Sequence, residues 1–184
     1  LFWVDIKNPM IYRFDPASGD VKNWRIQTEI GSIGLAGKGR LIAGTRMGLA
    51  FIGLDDNSFE EVADPEGDGR MNSVRMNDGK VDRQGRFWCG GMDDPGYAEI
   101  ASLYRFDHDR SVHKMAGPVT VSNALCWSPD NTTMYFADSR KRTMWAYDFD
   151  AASGTIENRR VFLDVADDDG VPDGATVDSD GFVW

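Results

Sequence analysis

A repeat constrains this chain more than any other feature. Counting from Asn77, an aspartate follows five residues on (Asp82), a glycine eight on (Gly85) and a tryptophan eleven on (Trp88). Asp173 opens the same pattern with Asp178, Gly181 and Trp184. From Asn123 the offsets meet Ser128, Asn131 and Met134, so the turn glycine is replaced by the other residue that tolerates a positive φ. From Gly31 they meet Ala36, Gly39 and Ile42. The four start points lie 46, 46 and 50 residues apart, a period of repeat architectures in which each unit buries its apolar face against the next.

Each repeat divides into short apolar segments separated by turn residues. In the repeat that opens at Gly31 these are 33–36, 40–45, 48–54 and 59–62; in the next, 80–82, 86–90, 102–107 and 112–115; in the next, 124–128, 133–137, 143–149 and 159–162. Helical periodicity is almost absent. Four short strands per repeat predict an all-β chain, a β-propeller forming one domain over 1–184. Leu1 to Ile6 reads as a strand with no cap before it, and Trp184 falls inside the second strand of a further repeat. Because an unclosed ring leaves unpaired edges, an internal fragment of about four blades, truncated at both ends, is expected. Asp64 to Gly69 has the alternating acids of a calcium loop but lacks the closing glutamate twelve positions on, so it reads as a connection between blades, as does the acidic stretch Asp164 to Gly170.

With 20 basic against 30 acidic residues the formal charge is −10, and no basic patch is present to displace counterions from a nucleic acid or an anionic membrane. Neither class of partner is expected, and no stretch approaches the roughly 20 apolar residues of a membrane span. Cys89 and Cys126 each adjoin a tryptophan in an apparent strand, without metal-ligand spacing, and read as buried free thiols of a cytoplasmic protein.

The inner strand of every blade lines the channel of a propeller, so register-equivalent residues near its start converge at one mouth. Asn77, Asn123 and Asp173 are expected there, with Gly31 leaving space in the ring. Taken singly, Asn-Asp-Gly and Pro-Asp-Gly are turn signals; their recurrence ahead of a second turn with its own Asp-x-x-Gly favours a site. Two amides and a carboxylate are hard oxygen donors, suited to calcium, magnesium or manganese. Serine-hydrolase chemistry is disfavoured: Gly-x-Ser-x-Gly is absent, and His108 and His113 fall in an outer hairpin expected to be exposed.

The segments Arg75-Met76-Asn77-Asp78-Gly79-Lys80-Val81-Asp82, Ser122 to Asp130, Tyr135-Phe136-Ala137-Asp138-Ser139 and Pro172 to Asp178 resemble the signatures of the regucalcin (senescence marker protein), gluconolactonase and luciferin-regenerating enzyme family, in the family's order and over essentially all of the chain. The resemblance implies a six-bladed propeller that binds one divalent cation, calcium first and zinc, manganese or magnesium as alternatives, and hydrolyses sugar lactones. Carried over by residue, Asn123 and Asp173 match metal ligands, Asp173 also matches the general base, and Arg75 and Asn77 match positions that hold substrate oxygens. A third ligand, a glutamate, is expected roughly ten residues before Leu1 by the repeat register. Ala124 stands where the family has glycine, and Asp94 is the candidate for the acid that contacts substrate. A calcium- or ligand-binding propeller without turnover is the alternative; an ester or organophosphate hydrolase on the same scaffold is a third, disfavoured by the polar Arg75 and Asn77. The oligomeric state is left open.

Overall fold

A computed structural model describes residues 1–67, 73–94, 96–166 and 170–184; Asp68, Gly69, Pro95 and 167–169, which belong to segments discussed above, lie outside the described residues. Fifteen strands and no helix occur among the described residues. The first sheet holds β1 (Phe2–Asp5), β2 (Met10–Phe14) and β3 (Val21–Arg25); the second β4 (Ile30–Leu35), β5 (Arg40–Thr45), β6 (Gly48–Gly53) and β7 (Phe59–Ala63). The third holds β8 (Val74–Val81), β9 (Phe87–Asp93), β10 (Ala101–Phe106) and β11 (Val112–Val119), and the fourth β12 (Ser122–Trp127), β13 (Thr133–Asp138), β14 (Thr143–Asp150) and β15 (Thr155–Asp164). Every pairing is antiparallel between neighbours in sequence, which is the up-and-down order of a propeller blade.

The repeated aspartate is a turn device. The Asp82 carboxylate accepts the backbone amides of Gln84 and Arg86 and the indole N–H of Trp88 at 2.9 Å. Asp178 does the same with the amides of Asp180 and Phe182 and the indole of Trp184, also at 2.9 Å. One side chain thereby satisfies the turn and fixes the tryptophan of the following strand, which is why Asp, Gly and Trp keep their spacing. Trp88 is fully buried and meets Trp127 and Phe149 edge-on in the core between the third and fourth sheets. Phe136 is also fully buried and Trp127 nearly so, as expected for strands covered on both faces. Tyr135 and Val177 are half-buried against a smaller cluster of Ala124, Cys126, Ala137 and Met144.

The edge strand β8 packs against both β4 and β12, and each of the three breaks register at the candidate position. The breaks fall between Ile30 and Ser32, Met76 and Gly79, and Asn123 and Cys126. A bulge bends a strand and re-aims a side chain, so the turn-like Asn-Asp-Gly marks a kink inside a strand. The sequence reading therefore began this strand too late, at 80, whereas β8 starts at Val74. Gly31 does not leave an open place in the ring: a Cβ there would overlap the carbonyl oxygens of Met76 and Asn77, so glycine lets β4 approach β8. Among the described residues no helix is long and apolar enough to cross a membrane.

Candidate active site at the mouth of the channel

Arg75 and Asn77 lie on β8 and Asn123 on β12, at the same end of their sheets. The Asn77 amide donates to the carbonyl of Ser122 at 2.9 Å, and its oxygen accepts from Arg75 Nη1 at 2.8 Å. Asn77 thus ties the third blade to the fourth and aims the guanidinium. Arg75 is buried; Nη1 also reaches the carbonyl of Met76, and Nε donates to Asp94 Oδ2 at 2.9 Å. The structure therefore brings Asp94 to Arg75.

Asn123 is buried, and its Nδ2 donates to Ser139 Oγ at 2.8 Å. The same hydroxyl donates to the carbonyl of Pro172 at 2.7 Å, so one serine links Asn123 to the residue before Asp173. Asp173 is exposed and lies in no strand, with its carboxylate free of hydrogen bonds and ion pairs among the described residues. Ala124 has φ +60°, which explains the glycine that the resemblance leads one to expect there.

Sequence reasoning passed over Asp78, because it treated Asn-Asp-Gly as one unit headed by Asn77. Asp78 accepts the amide of Leu125 at 3.1 Å, across to the fourth blade. Burial raises its pKa above the ordinary carboxylate value, and the negative charge of Asp173 works in the same direction, against the Leu125 amide and the Lys80 ammonium. Lys80 donates to the carbonyl of Ala175 at 2.7 Å and so holds the segment after Asp173 to β8. Lys7, Glu29 and Arg46 were missed as well, since no pattern links positions so far apart. Lys7 Nζ lies 2.9 Å from Asp94 and 3.1 Å from Glu29, while Arg46 pairs with both acids.

No group of three or more His, Cys, Asp or Glu that could hold a metal ion occurs among the described residues. The Asn123 amide is held through its nitrogen, leaving its oxygen available, and the Asp173 carboxylate is unengaged. These residues fit a hard cation in kind, and supply fewer donors than the six to eight oxygens calcium takes. Cys89 and Cys126 are free and buried, and burial pushes their thiols up to about 12 and about 11, well away from ligand chemistry. His108 and His113 are exposed, as expected.

The description "SMP-30/Gluconolactonase/LRE-like region" matches residues 1–184. Regucalcin of Xenopus laevis is 34% identical over 189 residues, and the 6-deoxy-6-sulfogluconolactonase of Pseudomonas putida is 35% identical over 187. Each match takes in 100% of this chain and 62% of the relative, so the chain spans under two thirds of their length. The structure of a luciferin-regenerating enzyme superposes with a TM-score of 0.88 at 28% identity, over 100% of this chain and 63% of that one. Repeat, blade order and match over its whole length agree: the chain belongs to the SMP-30/gluconolactonase/LRE-like family.

Proposed function

We propose that the whole protein is a gluconolactonase-like hydrolase that opens sugar lactones at this mouth, with a divalent cation, calcium first, as its cofactor. The observation that carries the reading is the convergence of Arg75, Asn77 and Asn123 on the kinked inner strands, with the Asp173 segment docked to Asn123 through Ser139. Membership of a family with a named lactonase supports the substrate class. Four blades in 62% of a relative's length scale to a ring of about six. Two buried free thiols fit a reducing compartment such as the cytoplasm.

Hydrolysis adds water to the lactone carbonyl and breaks the bond from that carbon to the ring oxygen, giving an aldonic acid. A cation held by Asn123 and Asp173 would polarise the carbonyl and acidify a water. Asp173 is the base that takes the water's proton and returns it to the departing ring oxygen. Arg75, with Nη2 uncommitted among the described residues, faces the developing oxyanion. Asn77 orients that guanidinium and offers its remaining N–H to a sugar hydroxyl. Asp94 holds Arg75 from behind.

The test is proton release from gluconolactone by the full-length protein, stripped of metal and then titrated with calcium, zinc, manganese or magnesium. Asp173→Asn is expected to lose about 10²- to 10⁴-fold in rate and to stay impaired at saturating metal. Asn123→Ala should be partly restored by excess metal. Full recovery of Asp173→Asn would place the base elsewhere. Metal binding without lactone opening above the buffer rate would favour the propeller that binds without turnover.

A further inference from the structure

We propose that Lys7, Glu29 and Arg46 make this mouth selective for sugar lactones that carry an anionic substituent, a carboxylate, sulfonate or phosphate, away from the ring carbonyl. The inference rests on the lactonase reading and names its substrate class. Lys7 follows β1, Glu29 precedes β4, Arg46 follows β5, and Arg75 and Asp94 belong to the third blade, so five side chains from three blades meet at one point.

Hydrogen-bond donors are left over in this network. Asp94 Oδ2 already takes Lys7, Arg46 and Arg75, and the two oxygens of Glu29 take Lys7 and Arg46. Three cations face two carboxylates, leaving one positive charge in a chain whose formal charge is −10. Lys7 has a third N–H to give and its side chain is 64% exposed, while Arg46 Nη1 has no partner among the described residues. Such a fork of guanidinium and ammonium donors matches the oxygens of an anion.

Charge is also unevenly placed about the mouth. Asp173 and Asp78, with Lys80 beside them, lie toward the fourth blade, and the network with its one excess positive charge lies toward the first and second. A lactone whose carbonyl sits at Arg75 and Asp173 therefore extends its far end toward Lys7. This polarity gives a single orientation to a substrate with one charged end and no such preference to a neutral one.

The experiment compares kcat/KM of the full-length protein for gluconolactone with that for lactones of the same ring bearing a carboxylate, a sulfonate or a phosphate. At least one anionic lactone is expected to be preferred, the preference to fall with ionic strength, and the three anions to rank by how well they fill the donor fork. Lys7→Gln should cut the anionic-to-neutral ratio by about 3- to 10-fold, and Lys7→Glu should cut it further. Lys7 is exposed enough for both variants to fold. A preference for the neutral lactone, or a ratio that neither variant moves, overturns the proposal while leaving the lactonase reading intact. Failure to open any lactone overturns both.

Discussion

The second and third blades are joined differently from the third and fourth. At the mouth, the second and third are held by the ion network of Glu29, Arg46, Arg75 and Asp94, with Lys7 added from the first. At the far end they leave a cleft of about 390 Å³, open to solvent, lined by Ile42, Phe51, Val81, Phe87 and Phe106 and rimmed by Arg40, Asp107 and Arg110. Between the third and fourth blades that far end is closed. Arg86 and Arg105 reach out of the third blade to the carbonyls of Ala151, Ser153 and Gly154, and lie over the rings of Phe149 and Trp88 at 5.7 and 5.9 Å.

Equivalent positions account for the difference. Arg40 and Arg86 each stand nine residues after their repeat's start, but Asp82 corresponds to Ala36 and Trp88 to Ile42. With a carboxylate at 2.6 Å, Arg86 is fixed and buried. Without one, Arg40 stacks on Phe51 at 4.9 Å and turns to the exposed Glu60 at 3.6 Å, and the smaller Ile42 leaves the space unfilled. In place of a buried arginine, that far end is tied by the exposed Arg110 of the third blade, which pairs with Glu60 at 2.8 Å and lies over Phe51 at 5.7 Å.

The largest test of this contrast is to remove each arginine in turn. Arg86→Ala leaves the wholly buried Asp82 carboxylate without its cation and should destabilise the full-length protein by about 3–5 kcal/mol. Arg40→Ala should cost no more than about 1 kcal/mol, the scale of an exposed pair. Thermal or urea unfolding of both variants checks it, and equal losses would remove the distinction between the interfaces.

Acid provides the next test, at the mouth. Hydrogen bonds from Arg75 and Lys7 hold the Asp94 carboxyl at about 2, below its ordinary 3.8. A depressed folded pKa gives stability that is present above the unfolded value and lost as pH falls through the folded one, here between about 4 and about 2. The contribution is on the order of 2 kcal/mol. Asp94→Asn should flatten the stability profile in that window, measured as the difference between wild type and variant. A difference that does not change from pH 5 to pH 2 would show that the network contributes nothing through Asp94.

The smallest expected effect comes from building the missing carboxylate. Ala36→Asp should draw Arg40 inward as Asp82 draws Arg86, and Ile42→Trp should occupy the cleft; together they should change stability by about 1 kcal/mol or less, in the stabilising direction. The more direct readout is a structure of the double variant. Arg40 still directed at Glu60 there would mean that the carboxylate is not what turns it.

The sequence by itself determined the blade. Asp82, Gly85 and Trp88 interact within one turn and one strand, so their spacing carries the structure with them, and Asp178, Gly181 and Trp184 repeat it for the same reason. It also placed Asn77 and Asn123 on inner strands, because repeat register is a geometric coordinate. Gly31 was legible as exceptional but not as a point of close approach, since what it touches is the backbone of Met76 and Asn77 in the next blade. Asp78 was hidden by its neighbour in a triplet that fits a turn as well as a bulge. Lys7, Glu29 and Arg46 could not be found at all: Lys7 and Arg46 meet Asp94 across 87 and 48 positions of chain, and Glu29 meets Lys7 across 22, through long, exposed or half-buried side chains whose partners only the closing of the blades selects.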